Sequence, residues 1–581
     1  MRLRSRYRNN QHLRRFPLEL WHESIAHLTI ADLKDLSMTC QLLHGISIPF
    51  IFKNIEYRCI VVYSENEPSW DLKQKRDDIQ RHANSFREFV ETAKCASLVR
   101  RLLVSYVCHI APTPGTSGKA ILKEKETYKD FLNTFILCLE RFSNLKGVEV
   151  SGLMGRIDKK MLDALARRSP LDAVWFSGVS FAPHEIKQLI TAKQICIDSR
   201  NADSEAIMNS RAKTLNFFSG ENLESLGVWS DLYAPKLFRA LGQQGRLERL
   251  TDISVYMDAD NLMDLYAFLP SCPNVKRMQV RLVGLSEGSQ FAPPPASTVP
   301  LVESFLGSEC AAAVFVPGRP VKKVVIDRRY WTENRFRANL GMCLLPLSQS
   351  TGPVVQLFVE SVGCTKKAME CLVGYFPSLE ELGVSLPRKT LLEDEVDLLI
   401  FPEDDEEDEG HYAPSCADAY EDPIGGGHDL RRWKHFCYVH FHTEYLNLLS
   451  SIAAKKIVIP SRLRALFLHE DAYDKFEIER LPASDDDEEG YVERFGAPFS
   501  ASGAQDVLNR VSRIYPTLER VVICKEYKGG LQWTKGYDGR WVYYTDFDLV
   551  HFQVGLFYSA EEVYSVTSSF GDEFLTQVSP V

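Results

Sequence analysis

Apolar residues in this chain recur at i, i+3 and i+5. The pattern stands at Val99-Leu102-Val104, Leu145-Val148-Val150, Leu171-Val174-Phe176, Leu223-Leu226-Val228 and Val275-Met278-Val280. It returns at Val321-Val324-Ile326, Val354-Leu357-Val359, Leu379-Leu382-Val384, Leu463-Leu466-Leu468 and Leu518-Val521-Ile523. Ala192-Ile195-Ile197 and the stretch after Leu247 read as degraded copies. The spacing predicts a short strand: i closes the preceding turn inward, and i+3 and i+5 point the same way. Turn cues precede several copies, as at Ser143-Asn144, Cys272-Pro273-Asn274, Phe376-Pro377-Ser378 and Tyr515-Pro516-Thr517. Between copies, Lys159 to Arg168, Asn261 to Leu269 and Ala368 to Tyr375 carry the period of amphipathic helices. One such strand cannot cover its inner face, whereas stacked neighbours can.

The N-terminal stretch has a different period. Leu18, Trp21, Ile25 and Leu28 form one helical stripe, with Pro17 suited to the first helical position. A second short helix is expected from about Ala31-Asp32, with Leu33, Leu36 and Cys40 as its stripe. A third carries Leu43, Ile46 and Phe50, with Gly45 and Pro49 expected to interrupt or end it. Three helices in some forty residues (about the size below which domains need outside support) bury little surface. The apolar excess points to a partner face.

These residues resemble the F-box family. The matching positions are Phe16-Pro17-Leu18-Glu19-Leu20, Ile25, Leu28, Asp32-Leu33, Leu36, Cys40, Leu43, Ile46, Pro49 and Ile51-Phe52. Phe16 stands where leucine is usual, and Leu43 where a large aromatic is frequent. The resemblance implies docking on the adaptor subunit of an SCF ubiquitin ligase and, through it, on the cullin scaffold. The residues it assigns to adaptor binding are Pro17, Leu18, Leu20, Ile25, Leu28, Leu33, Leu36, Cys40, Leu43 and Ile46. The pattern does not separate core from adaptor-facing positions. The plainer reading is a helical cap on the following domain.

The strand-helix alternation behind this module resembles a leucine-rich-repeat solenoid. Two features depart from that family: copies stand farther apart than its unit, and the asparagine after the strand is mostly missing. Divergent strands or long insertions account for the spacing; the alternative is an unrelated α/β domain. The expected class is α/β: a three-helix F-box-like module, an irregular leucine-rich-repeat-like solenoid and a C-terminal β-hairpin cap. The expected bounds are a basic disordered tail over 1–12, the helical module over 13–60 and the solenoid over 85–390. A disordered acidic and Gly-rich insertion follows over 391–432, then further repeat-like strands with the cap over 433–581. Gly284 to Pro300, with Pro293-Pro294-Pro295, reads as an extended loop. Tyr537-Asp538-Gly539 between aromatic-rich segments signals the hairpin.

Charge alters little in this picture. The formal net charge of −10 over 581 residues comes from two tracts, Glu393 to Glu409 and Asp485 to Glu489. Without them the chain is near neutral, apart from the Arg-rich stretch before Phe16, which reads as a solvated tail. Neither acidic tract has calcium-loop spacing. The 14 cysteines include no C-x-x-C pair and suit reduced, buried thiols. No apolar run is long enough for a membrane span, so no membrane partner is expected; nucleic acid is not expected either. The expected location is the cytoplasm, the nucleus or both.

No phosphate-loop or nucleophile-elbow motif is present. His435, Cys437, His440 and His442 form the densest cluster of candidate ligands, read as ordinary packing; a metal-dependent hydrolase there is the alternative. No metal, cofactor or catalytic residue is expected. On stacked strands, i+2, i+4 and i+6 face outward, which selects Trp175, Trp229, Arg277, Gln279, Arg281, Lys323 and Asp327 as a substrate-binding surface. The expected function is a non-enzymatic substrate-recognition subunit holding an unknown protein. An adaptor-bound scaffold without a ubiquitylation role is the alternative.

Overall fold

The computed structural model describes residues 17–63, 69–92, 94–110, 118–151, 156–157, 159–181, 188–199, 215–283, 291–326, 340–363, 366–386, 445–470, 501–524 and 530–547. The basic tail, both acidic tracts, Asp327 and the His435–His442 cluster lie outside these residues. The chain forms two compact units, Met1–Val302 and Glu303–Val581. Each is mixed α/β with a mostly parallel sheet.

The first unit opens with helices α1 (Leu18–Ile25), α2 (Ile30–Thr39) and α3 (Gln41–Ile51). Pro17 is the N-cap of α1, one position earlier than its sequence context suggests. The second helix starts at Ile30 because Thr29 and Asp32 form a capping box. The Asp32 N–H donates to Thr29 Oγ1 at 3.2 Å and the Thr29 N–H to Asp32 Oδ2 at 3.3 Å. Gly45 and Pro49 both sit inside α3 and end nothing. Pro49 lies in the last turn, where it removes the N–H that would bond the Gly45 carbonyl, and the helix ends two residues later at Ile51.

The strands are β1 (Asn54–Tyr63), β2 (Arg101–Ile110), β3 (Gly147–Ser151), β4 (Arg156–Ile157), β5 (Leu171–Ser177) and β6 (Ser180–Phe181), followed by β7 (Ile190–Asp198), β8 (Phe218–Ser219), β9 (Ser225–Trp229), β10 (Asp252–Asp258) and β11 (Arg277–Val283). The main sheet runs β1-β2-β3-β5-β7-β9-β10-β11, each pair parallel. The first strand begins at Asn54, inside the span assigned to the helical module. Helices α4 (Ser69–Thr92), α5 (Gly118–Arg141), α6 (Lys159–Arg168), α7 (Ala234–Gly242) and α8 (Leu262–Phe268) lie between strands. Aromatic packing seats α4 and α5 on β1: Tyr57 stacks on Phe86 at 4.4 Å and on Phe131 at 5.3 Å between ring centroids.

Register is set the same way from strand to strand. One carbonyl before a strand accepts the first two N–H groups of the next. Lys53 takes Arg100 and Arg101, Arg100 takes Lys146 and Gly147, and Thr251 takes Lys276 and Arg277. The turn cues have a matching cause, since Asn144 Nδ2 donates to the Ser97 carbonyl at 2.6 Å and Asn274 Nδ2 to that of Glu248 at 2.7 Å. Each side chain just before the repeated apolar triplet thus ties its turn to the preceding one.

The second unit repeats the scheme with β12 (Ser304–Gly307), β13 (Lys323–Ile326), β14 (Gln356–Gly363), β15 (Glu381–Leu386), β16 (Ala465–Glu470) and β17 (Arg520–Cys524), in that order and parallel. Its helices are α9 (Glu309–Phe315), α10 (Leu340–Ser348), α11 (Lys366–Tyr375), α12 (445–453) and α13 (Ala501–Ile514). The shared-carbonyl bond persists across the longest gap: Glu380 accepts from Arg464 and Ala465. The insertion therefore leaves the strand stack continuous. Then β18 (Gly530–Lys535) and β19 (Trp541–Phe547) pair antiparallel as the expected hairpin, covering the edge of β17. Gly539 takes φ +79° in its turn, and Trp541 Nε1 donates to Ser512 Oγ of α13 at 3.0 Å.

The apolar triplets form the core. Val104, Val150, Phe176, Val228, Val280, Leu382 and Val521 are all fully buried. Leu250-Ile253-Val255 and Val302-Phe305 supply strands that the pattern marked only vaguely or missed. The second of these ends in Gly307, so its third apolar position is empty.

Burial also raises the pKa of Glu309, at the start of α9, to about 7. The folded state therefore holds this proton more tightly than the unfolded state. The stability it contributes is present below the ordinary carboxylate pKa and lost as pH rises through 7. Glu309→Gln should stabilise the second unit by about 2 kcal/mol at pH 8 and change little at pH 5. Thermal unfolding at the two pH values checks this; an equal shift at both contradicts it.

Candidate interaction surfaces

The helical module buries Ile25, Leu33, Leu43 and Ile46 as its core, with Trp21, Leu36, Leu42, Phe50 and Ile51 half-covered around it. It leaves other large apolar side chains open: Leu20 is 43 % exposed, Leu28 39 %, Ile30 54 % and Met38 84 %. Ile30 and Met38 are eight residues apart on α2 and share one helix face. The residues assigned to adaptor binding therefore divide. Pro17, Leu20 and Leu28 face solvent, while Ile25, Leu33, Leu43 and Ile46 lie inside. Leu36 is half-buried, and Cys40 caps α3 by accepting from the Leu43 N–H at 3.5 Å. The Leu18 side chain is outside the described residues. Leu28 does not extend the α1 stripe, because the helix ends at Ile25 and Leu28 sits in the turn behind it. The sequence pattern leaves out Ile30 because the expected helix starts after it, and Met38 because it stands on the face away from Leu33, Leu36 and Cys40.

The second surface is the sheet face opposite the buried triplets in the first unit. Three register-matched rows cross it. The first contains Arg101, Gly147, Ala173, Gln194, Ser225, Asp252 and Arg277. The middle row contains Glu149, Trp175, Cys196, Gly227, Ser254 and Gln279, and the third Ser177, Asp198, Trp229, Tyr256 and Arg281. Trp175 meets Trp229 edge to face, with centroids 6.2 Å apart. Trp229 Nε1 donates to Ser254 Oγ at 2.8 Å, and Ser254 Oγ donates to Gln279 Oε1 at 2.9 Å.

The charges on this face are engaged. Arg101 Nη2 donates to Glu149 Oε2 at 3.0 Å, Arg277 pairs with Asp252, and Lys146 and Lys193 share Asp172. Two expectations change accordingly. Trp229 and Arg281 lie on the selected face but are buried in it, so neither is an open contact residue. Arg277 is half-exposed with its charge already matched by its strand neighbour. Trp175 and Gln279 are half-buried.

Lys323 belongs to the second unit, whose corresponding face is apolar. Behind Lys323, the outward positions of successive strands are Leu306, Val325, Phe358, Gly383, Phe467 and Val522. Val325, Phe358, Phe467 and Val522 are buried together in one cluster. A Cβ on Gly383 would collide with the Phe358 ring, so this glycine lets the ring lie across the sheet. The apolar i+4 residues are readable in the sequence, whereas selection by binding-prone residue type picks tryptophan and arginine instead.

Among the described residues, no group of three His, Cys, Asp or Glu stands close enough to hold a metal, and no helix is long and apolar enough to cross a membrane. Burial pushes the thiols of Cys138 and Cys272 up to about 12. Both should resist maleimide in the native protein at pH 7.5 and react once it is unfolded. Mass mapping of labelled peptides checks this; rapid native labelling of either contradicts it.

No protein-family model and no curated protein matches the chain. Among solved structures it is similar to one described as the Rad7 and Elc1 complex in yeast, at 11 % identity. That match covers 63 % of this chain and 80 % of the other, with a TM-score of 0.29.

Proposed function

We propose that this chain is a non-enzymatic substrate-recognition subunit of an SCF-type ubiquitin ligase. Its N-terminal helices act as an F-box-like module that docks on the adaptor and, through it, on the cullin scaffold. The sequential parallel strands act as a leucine-rich-repeat-like solenoid that holds a protein substrate on the first unit's polar face. Catalysis is then proximity: the subunit raises the effective concentration of substrate at a conjugating enzyme supplied by other subunits and contributes no reacting group.

The observation that carries this reading is the apolar surplus of the helical module. Its few buried residues form the core, and Leu20, Leu28, Ile30 and Met38 remain open around it. A partner covering them gains roughly 25 cal/mol per Å² of apolar surface removed from water, before the costs of association. The core residues Ile25, Leu33, Leu43 and Ile46 then support that face from beneath. Titrating fluorescently labelled adaptor with the full chain tests the reading. Saturable binding of one adaptor per chain is expected; no change in anisotropy at micromolar chain would sink it.

A further inference from the structure

We propose that the middle row of the first unit's open sheet face takes an uncharged, extended peptide segment of about six residues. The inference rests on the substrate-receptor reading and adds the chemistry of what is recognised. The strip consists of Trp175, Cys196, Gly227, Ser254 and Gln279, matched in register on five successive strands. None of these five is an acidic or basic residue; Glu149, the member of the row beside Trp175, is buried and paired with Arg101. Four interstrand steps of about 4.8 Å make it about 19 Å long, which is the span of about six extended residues.

The surroundings disfavour a charged ligand. Toward the strand starts, Arg277 is held by Asp252 and Arg101 by Glu149, while Lys146 and Lys193 share Asp172. Toward the strand ends, Arg281 and Asp198 are buried. A phosphate or carboxylate would have to displace a resident carboxylate or draw out a buried guanidinium. An uncharged segment displaces no ion pair.

The shape of the strip also suits a peptide. Gly227 is buried in the middle of the strip and lets Cys196 Sγ lie close against the sheet, since a Cβ there would stand 3.0 Å from that sulfur. Trp229 is pinned through Ser254 to Gln279, so it forms a fixed wall. Trp175 is half-buried, and its indole N–H has no hydrogen-bond partner and no contact with water. A small turn of the ring brings that donor to a peptide carbonyl and satisfies it, while the indole face packs on a side chain.

The test uses the full chain bound to the adaptor, probed with displayed short peptides in uncharged, acidic, basic and phosphorylated sets. The uncharged set should be enriched, with affinity changing less than about twofold between roughly 50 and 300 mM salt. Trp175→Ala should weaken that binding by about tenfold or more. The variant's affinity for the adaptor should match the parent's. Enrichment of a charged set, enrichment of none, a steep loss with salt, or full binding by Trp175→Ala would each overturn the inference. The salt dependence is read on the unaltered chain, so it stands even if the variant folds poorly. Selection of uncharged peptides by a chain that never retains the adaptor would keep this inference and sink the receptor reading.

Discussion

Met38→Asp should abolish binding of the full chain to the adaptor without lowering its melting temperature. Met38 is 84 % exposed in the free chain, so the substitution costs the fold within about 0.5 kcal/mol. In the proposed complex the same position would lie under the partner, where an unpaired carboxylate would be desolvated at a cost of several kcal/mol. Each 1.4 kcal/mol is about tenfold in affinity, so a loss of about a hundredfold or more is expected. Ile30→Asp, on the same helix face, should behave alike. Leu33→Asp serves as a contrast: it also removes binding but melts the module, because Leu33 is core. Normal adaptor affinity in Met38→Asp would place the partner face elsewhere.

Phe176→Ala should lower the stability of the first unit by about 3–5 kcal/mol. Phe176 is fully buried at the last inward position of β5 and meets Phe181 at 5.3 Å and Phe218 at 6.0 Å, both edge to face. Truncation removes the ring from these contacts and leaves a cavity between strand and turn that the flanking β-bonded backbone cannot close. Leu232→Ala, at a 36 % exposed position in the same unit, should change stability by no more than about 0.5 kcal/mol. Denaturant melts followed by tryptophan fluorescence separate the two. A Phe176→Ala cost under about 1 kcal/mol would mean that the triplet's last position does not anchor the sheet.

The strand core was legible because its physics is local. Two inward residues on a short strand plus one closing the turn make the pattern visible in Leu171-Val174-Phe176 and the other copies, and those side chains are buried as it requires. It fades where one slot is relaxed. Ala192 is small, and Gly307 leaves the third slot empty, so β7 read as degraded and β12 was missed. The shared-carbonyl bonds that fix register belong to the backbone and leave no trace in residue type. Asn144 and Asn274 were visible as turn cues, but the carbonyls they reach lie a full repeat earlier, which spacing alone cannot reveal.

The outward face was less legible because exposure depends on neighbouring strands. Alternation puts Trp229 and Arg281 on that face, as the register confirms, but it does not tell that the chain covers them. Nor does it tell that Asp252 neutralises Arg277, since their register is set by pairing between strands. In the helical module, Leu20 and Ile25 carry the same apolar character in sequence. Packing against Leu33 and Ile46 makes Ile25 core and leaves Leu20 open.

Co-expression of the chain with the adaptor, with and without residues 1–60, tests the central claim most directly. The full chain should co-purify with adaptor in equal amounts, and the truncated chain should retain none. Equal retention of adaptor by both would show that the N-terminal helices are not what the partner covers.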